Sequence, residues 1–371
     1  MAVSRIDEAG LNVNQYSNRN VIINGAMAVA QRGTSTTGIV SASTSFPSCD
    51  RVKLYNTGGA GPTYTATQST DAPDGFKYSF KIETTSADSS LPAAHQTILR
   101  LGLVEWGNGR RFQYGTSSAK TSTISFFVKS SITGNQDFVL ASHGSVQRHI
   151  GATITINAAN TWEYKTFTFA ADTDTTNLHT AETDRELGYT IDIRPTAGTN
   201  YQGGTMPTTS WGTRSNTQTA NNSLQIGSTA NATFQITGLQ WEVGDTATPF
   251  EYRTYDDDLD ACQRYFQEWT DAGSPISAGG VWYATTQVLG KLVFKKPMRT
   301  APTMTASGSG ILSSYSVGTA VTSNDSSLFD NIRSYGCRVN IAPTASSGTS
   351  GRGTMIQITG SGAYVHADAE L

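Results

Sequence analysis

The sequence predicts an all-β protein: a jelly-roll β-sandwich, then a short helical connector, then a smaller C-terminal β-sandwich. Three observations support this prediction. Only 15% of the 371 residues are charged and 36 are glycine, a composition that suits short strands joined by polar turns and does not suit helices. Apolar and polar residues alternate in many segments, and a single segment has helical spacing.

The alternating segments are expected to be strands that place one row of side chains in a core. Turn-forming clusters such as 56–59 and 71–75 separate them. Many short antiparallel strands without helices between them are typical of a sandwich or jelly roll. The apolar rows are Phe76, Tyr78, Phe80 and Ile82; Leu99, Leu101 and Leu103; Ile124, Phe126 and Val128; Ile150, Ala152, Ile154 and Ile156; Tyr189, Ile191 and Ile193.

The stretch from Phe234 to Val243 predicts one long strand with a β-bulge. Apolar residues occupy even positions up to Ile236 and odd positions from Leu239 onward. The phase changes at Gly238, and one extra residue at a glycine is what a β-bulge introduces.

The one segment with helical spacing runs from about Asp256 to Trp269 and precedes Gly273 and Pro275, which are expected to end it. Short strands and a higher Gly and Ser content follow it. The predicted organisation is therefore an N-terminal arm at 1–18, a jelly roll at 19–255, a helical connector at 256–272 and a distal β-sandwich at 273–371.

The acidic run from Asp256 to Asp260 has two interpretations. Carboxylates at the start of a helix are stabilised by the helix dipole, and this accounts for the run without a ligand. Calcium also prefers carboxylate oxygens, so a structural calcium ion is the alternative.

Bulk properties exclude several classes of function. The net charge is −3 and the basic residues are not clustered, so no nucleic-acid partner is expected. Cys49, Cys262 and Cys337 are scattered and give neither a disulfide framework nor zinc spacing, which is typical of a protein made in a reducing cytoplasm. No apolar run has the length of a membrane span, so no membrane insertion is expected.

No catalytic signature is found in the sequence, and the protein is not expected to be an enzyme. His143 and His149 flank a turn, and the sequence leaves open whether they bind a metal. Paired carboxylates of a polysaccharide depolymerase are the less favoured alternative, because acids such as Asp71 and Asp172 lie in predicted turns and loops.

Sugar binding is the better functional interpretation, since sugar rings stack on aromatic faces and planar polar groups recognise hydroxyls. A long polar loop from 198 to 223 carries several suitable side chains. The same aromatics also suit sandwich ends or subunit contacts. The glycan-binding candidates are Trp106, Tyr201, Trp211, Arg214, Trp282 and Tyr283.

Several sequence blocks resemble a family of phage virion proteins common in phages of marine bacteria, especially cyanophages. Asn20-Val-Ile-Ile-Asn-Gly-Ala-Met-Ala-Val-Ala-Gln-Arg-Gly33 is similar to its opening. The block 234–266, with Thr-Gly-Leu-Gln-Trp-Glu-Val-Gly, Ala-Thr-Pro-Phe-Glu and Cys-Gln-Arg-Tyr-Phe, is similar to its signature. Between these two blocks, the segments 126–130 and 160–163 and the Trp211 loop are in family order, and the final segment 367–371 is also similar to the family. Leu239-Gln-Trp241 departs from the family, where aliphatic residues are common.

The resemblance implies a jelly roll similar to carbohydrate-binding modules, which often carry a structural calcium. It also implies a virion protein made in the host cytoplasm: a short fibre or knob, homotrimeric, that binds host-surface polysaccharide. The arm at 1–18 is then expected to attach to a phage head or tail protein, with Arg5, Ile6, Leu11 and Val13 as contact residues. A disordered tail is the other interpretation of the arm. The alternative to a fibre is a head-fibre or capsid-decoration protein without a receptor.

Overall fold

The computed structural model describes residues 18–177, 184–215, 223–270, 275–307, 312–316, 319–322, 328–342, 348–359 and 362–371. The predicted arm, with Arg5, Ile6, Leu11 and Val13, lies outside the described residues except for Asn18. The chain forms two compact units, Met1–Asp258 and Leu259–Leu371. Among the described residues, no helix is long and apolar enough to cross a membrane.

The first unit is a jelly-roll β-sandwich in which every strand pairing between described residues is antiparallel. Its strands are β1 Ser35–Ile39, β2 Ser43–Ser45, β3 Lys53–Thr57, β4 Thr63–Ser69, β5 Ser79–Ser86, β6 Gln96–Arg100, β7 Val104–Glu105, β8 Ser122–Ser130, β9 Gly134–Ser142, β10 Arg148–Ile156, β11 Glu163–Phe169, β12 Leu187–Ala197, β13 Gly212–Thr213 and β14 Thr233–Val243. A four-residue helix, α1 Trp106–Gly109, follows β7.

Two sheets make up this sandwich. The six-stranded sheet has the order β1-β4-β5-β14-β8-β11, and the eight-stranded sheet has the order β13-β10-β9-β12-β6-β3-β2, with β7 on β12. Their facing rows form one apolar core, to which β5, β8, β10 and β12 contribute the alternating residues. The predicted all-β jelly roll is therefore confirmed, and so are the apolar rows within its strands. Phe76 and Tyr78 precede β5, Leu101 and Leu103 follow β6, and Phe76 does not belong to this core.

The predicted bulge in β14 is confirmed. The pairing of β14 with β8 shifts register between Thr237 and Gln240, and Gly238 has a φ of +65°. Both Ile236 and Leu239 are fully buried, so the extra residue keeps both apolar rows in the core. A Cβ at Gly238 would lie 2.7 Å from the Phe76 ring, which is a second reason for glycine there.

The segment before β1 packs against β14. Asn20 accepts hydrogen bonds from the backbone N of Ile22 and Trp241 and donates to the Leu239 carbonyl. A Cβ at Gly25 would lie 2.2 Å from the same Leu239 carbonyl oxygen. The two sequence blocks that resemble the phage family are thus in direct contact.

The helix differs from its prediction. Helix α2 runs from Tyr255 to Gln263, and the next residues form strand β15, Phe266–Trp269. The prediction of a helix to Trp269 is wrong, because Phe266 to Trp269 pair with a strand near the C-terminus. The compact units divide between Asp258 and Leu259, inside this helix, whereas the sequence placed the boundary near residue 272.

Thr254 caps the start of α2 with its side chain. Thr254 Oγ1 accepts from the Asp257 backbone N over 3.2 Å and donates to Asp257 Oδ2 over 2.7 Å. Helix capping therefore accounts for Asp257 in the acidic run.

The second unit is a smaller two-layer β-sandwich. Besides β15, its strands are β16 Pro275–Ala284, β17 Gln287–Val293, β18 Thr303–Ala306, β19 Leu312–Ser316, β20 Thr319–Thr322, β21 Phe329–Arg333, β22 Gly336–Ile341, β23 Gly353–Ile358 and β24 Val365–Asp368. A three-stranded sheet, β15-β24-β18, and a seven-stranded sheet, β20-β19-β23-β16-β17-β22-β21, share one apolar core.

Candidate functional site

Trp106 begins the short helix α1, which the start of β12 holds in place. The Trp106 backbone N donates to the Glu186 carbonyl over 2.9 Å, and the Gly107 N donates to the Asp184 carbonyl over 3.0 Å. The half-buried Trp106 ring stacks on Tyr189, with ring centroids 5.5 Å apart and an interplanar angle of 24°. The aromatic pair therefore sits at one end of the first sandwich.

Two glycines allow this close packing. A Cβ at Gly109 would lie 2.3 Å from the Tyr189 ring, and a Cβ at Gly188 would lie 2.6 Å from the Trp106 Cα. A Cβ at either position would displace the Trp106 backbone or the stacked Tyr189 ring from a closely packed arrangement. The packing therefore requires glycine at both positions.

A cavity of about 500 Å³ opens beside this pair. We call it the Trp106 pocket. Its aromatic side is formed by Trp106, Tyr114 and Tyr189, and its polar side by Arg110, Gln113, Thr116 and Ser118. Tyr114 lies edge-on to Tyr189 at a centroid distance of 5.7 Å, so the three rings form one continuous wall.

The two tyrosine hydroxyls of this wall differ. Tyr114 Oη is hydrogen-bonded to Ser122 Oγ at 2.8 Å. Tyr189 is only 1% exposed, yet its hydroxyl makes no hydrogen bond with any described residue. Burial raises the pKa of Tyr189 far above its usual value, so the group keeps its proton. The pocket wall thus contains a hydroxyl without a hydrogen-bond partner among the described residues.

Trp211 and Trp282 are not exposed platforms. Trp211 is buried in the first core, lies edge-on to Tyr114 and donates its indole N–H to the Ala170 carbonyl over 2.8 Å. Trp282 is buried in the core of the second unit. Both rings fill sandwich interiors, which corrects the expectation that they stack on sugars. Tyr283, the next residue on β16, is exposed.

Tyr201 and Arg214 meet the outer face of the eight-stranded sheet. The Arg194 guanidinium lies 5.9 Å from the Tyr201 ring centroid. Arg214 Nη2 lies 3.3 Å from Asp192 Oδ2. The structure therefore brings these two candidates to one charged surface, while Trp106 belongs to a different site and Trp282 and Tyr283 belong to the other unit.

The histidines and acids singled out in the sequence have local partners. His143 Nε2 is 3.0 Å from Thr190 Oγ1. Asp172 pairs with Arg148 at 3.1 Å. Among the described residues, no group of three or more His, Cys, Asp or Glu side chains is arranged to hold a metal ion.

Asp71 is a poor candidate for a catalytic acid. Burial alone would raise its pKa, but hydrogen bonds from Lys129, Gln235 and Trp162 lower it below the usual value. A general acid needs a raised pKa so that it holds its proton near neutral pH.

Sequence reasoning missed two site residues: it placed Tyr189 in an apolar strand row and did not single out Tyr114. A tyrosine at an inward position of a strand is the available signal, since a buried hydroxyl needs a partner. The charged cluster around Asp192 was missed as well, since its members come from different strands whose register the sequence does not show.

No protein-family model and no curated protein matches the chain. Among solved structures, the enzymatically active domain of bacteriophage CBA120 tailspike protein 4 is 9% identical, with a TM-score of 0.32 over 61% of this chain and 21% of that chain. The family 11 carbohydrate-binding module of Clostridium thermocellum Lic26A-Cel5E is 12% identical, with a TM-score of 0.28 over 59% of this chain and 100% of that chain.

A family 16 carbohydrate-binding module is 10% identical, with a TM-score of 0.26 over 47% of this chain and 84% of that chain. The present chain spans only about a fifth of the length of the tailspike domain, of which 21% is covered. At these identities the likeness concerns the β-sandwich fold alone.

Proposed function

We propose that this chain is a non-catalytic carbohydrate-binding protein of a bacteriophage virion and that it binds host-surface glycan in the Trp106 pocket. One observation carries the binding proposal: the Tyr189 hydroxyl has no hydrogen-bond partner among the described residues, and Tyr189 lines a cavity that also presents Trp106.

The chemistry of the pocket suits a sugar. A pyranose ring has an apolar face that packs on an aromatic ring, and its hydroxyls bond to planar polar groups such as those of Arg110 and Gln113. A hydrogen bond between a sugar hydroxyl and the Tyr189 hydroxyl contributes about 0.5–1.5 kcal/mol. Such a bond also fixes the orientation of the sugar on the aromatic wall.

The binding test uses the full chain and a panel of oligosaccharides, with affinity measured by calorimetry. Tyr189→Phe keeps the ring and removes only the hydroxyl, so we expect about tenfold weaker binding with no loss of stability. Trp106→Ala should abolish measurable binding because it removes the stacking face. Tyr335→Phe, a change at an exposed tyrosine of the other unit, is the matched control and should have no effect.

Unchanged affinity in both Tyr189→Phe and Trp106→Ala would remove the pocket from the proposal. Release of new reducing ends from any bound polysaccharide would contradict the non-catalytic part. In that case the depolymerase alternative replaces it.

The virion part of the proposal is supported by the phage-like sequence blocks, which the fold brings into contact at Asn20 and β14. In this proposal the chain is a short homotrimeric fibre whose arm at 1–18 attaches to a head or tail protein. Cryo-electron microscopy of the purified particle tests it through copy number. A few trimers at the tail or at one vertex support a fibre, and a regular array over the capsid indicates a decoration protein instead.

A further inference from the structure

A buried carboxylate on the outer face of the eight-stranded sheet is surrounded by guanidinium groups. Asp192 on β12 is only 2% exposed. Arg100 on β6 is paired with Asp192 in the strand register and forms a bidentate ion pair with it. Arg100 Nε donates to Oδ1 over 2.8 Å, and Nη2 donates to Oδ2 over 3.0 Å. Arg214 reaches Oδ2 at 3.3 Å, and Arg194 adds a third positive charge nearby. Asp192 therefore pairs with two arginines, and Asp192 and Asp137 together stabilise the positive charge of Arg194.

The two paired arginines differ in the use of their donors. The remaining terminal nitrogen of Arg100, Nη1, donates a hydrogen bond to the Tyr55 hydroxyl over 3.1 Å. Arg214 has five N–H groups, and among the described residues it bonds only to Asp192 and, at 3.5 Å, to Gln147 Oε1. Its side chain keeps 17% of its surface exposed. Arg214 thus has unused donors that solvent reaches.

The backbone holds Arg214 in this position. Strand β13 pairs Gly212 with His149 on β10, and the Arg214 backbone N donates to the Gln147 carbonyl over 2.8 Å. The guanidinium is therefore aimed at Asp192 by sheet pairing, and a ligand that binds there meets a group that is already ordered.

The local potential is positive although the whole chain carries a charge of −3. Burial lowers the pKa of Arg214; the Asp192 carboxylate opposes this shift, and the nearby Arg100 adds to it. The pKa of His149 falls to about 4 through burial and the positive charges of Arg214 and Arg194. An added negative charge would relieve this repulsion.

We propose that Arg214, with Arg100 and Tyr55 beside it, binds an oxyanion carried by the glycan, so that the ligands of this protein are acidic saccharides. This inference rests on the proposed glycan-binding function and names its substrate class. A guanidinium with unused parallel donors matches the two oxygens of a carboxylate and also those of a phosphate or sulfate group. The site is separate from the Trp106 pocket, since Tyr189 belongs to the core row of β12 and Asp192 to its outer row.

The test compares an oligogalacturonate, a sulfated galactan oligomer and a neutral galactan oligomer of equal length on the full chain. We expect the acidic ligands to bind about tenfold or more tightly than the neutral one, with an advantage that falls as salt rises. Arg214→Gln should remove that advantage. Arg338→Gln is the matched control: it removes one positive charge from an exposed ion pair in the other unit and should leave the preference unchanged.

The variants separate a specific site from net charge. Asp192 keeps its bidentate Arg100 in Arg214→Gln, so the fold should persist, and thermal unfolding verifies this. Arg214→Lys keeps the positive charge but lacks the parallel N–H donors of a guanidinium. We expect this variant to retain only part of the preference for acidic oligomers. Preference for the uronate over the sulfated oligomer identifies a carboxylate ligand, and the reverse preference identifies a sulfate or phosphate ligand.

Each failure has its own signature. Equal affinity for neutral and acidic oligomers, or equal losses in Arg214→Gln and Arg338→Gln, overturns the Arg214 site and leaves the proposed function standing. Acid binding that depends on Arg214 but is unaffected by Trp106→Ala supports the Arg214 site and removes the Trp106 pocket. Absence of binding to all three oligomers overturns this inference, and the wider panel then decides the proposed function.

Discussion

Trp241 donates its backbone N–H to the Asn20 side chain over 3.1 Å, and so joins β14 to a residue 221 positions earlier in the chain. The Asn20 side-chain amide also donates to the Leu239 carbonyl and accepts from the Ile22 backbone N, and all three bonds lie within the protein interior. One side chain therefore ties the segment before β1 to the bulged strand.

Asn20→Ala should lower the free energy of unfolding of the first unit by about 2–4 kcal/mol, because it leaves buried backbone groups of Ile22, Leu239 and Trp241 without partners. Urea unfolding followed by tryptophan fluorescence measures the change. Asn200→Ala, at an exposed position, is the control and should stay near the wild type. A loss of the same size in both variants would contradict the role of Asn20.

Gly238→Ala should destabilise the first unit more than Gly203→Ala does. Both glycines have positive φ, but a Cβ at Gly203 meets nothing within 4 Å, whereas one at Gly238 lies 2.7 Å from the Phe76 ring. Backbone strain alone costs about 1 kcal/mol, and the clash adds about 1–3 kcal/mol. Chemical denaturation of the two variants side by side gives the difference. Equal losses in the free energy of unfolding would mean that the Phe76 ring moves away from the added methyl group without destabilising the fold.

Trp282→Ala and Tyr283→Ala should affect the second unit very differently, although the residues are neighbours on β16. Trp282 is 2% exposed and Tyr283 is 66% exposed. Loss of the buried indole costs about 3–5 kcal/mol, and loss of the exposed ring costs less than about 0.5 kcal/mol. Calorimetric unfolding distinguishes the two variants. A stable Trp282→Ala variant would show that this side chain does not hold the second core together.

Acid should weaken the first unit through His149. Its pKa falls from 6.5 to about 4 on folding, mainly through burial and the charge of Arg214. The unfolded chain therefore binds more protons within this window, and the stabilising contribution that is present above pH 6.5 is lost as the pH falls toward 4. His149→Gln cannot take up the proton, so its unfolding midpoint should fall less steeply over the same window. Parallel slopes for the variant and the wild type would contradict this account.

Much of the fold follows from local patterns, because alternation reports directly which strand face is buried. The rows of β8 and β12 and the glycine bulge of β14 are of this kind. The end of α2 was not predictable in the same way. Tyr265, Phe266 and Trp269 continue a helical stripe, and only pairing with β24, far along the chain, makes residues 266–269 a strand.

The candidate sites were less predictable than the fold. Trp106, a predicted glycan-binding candidate, lines a pocket, but composition does not tell an exposed indole from a buried one, as Trp211 and Trp282 show. The partnership of Arg100 with Asp192 depends on the register between β6 and β12. Such a contact between distant strands has no local signature.

The position of β14 between β5 and β8 also has a consequence during synthesis. Both neighbours leave the ribosome long before β14, so each carries an unpaired edge until the last strand of the sandwich arrives. At a rate of synthesis of about 5–20 residues per second, roughly 10–30 s pass between the synthesis of β5 and that of β14. A nascent chain with two open edges is prone to aggregation, so a chaperone that shields them during translation should increase the yield of folded protein.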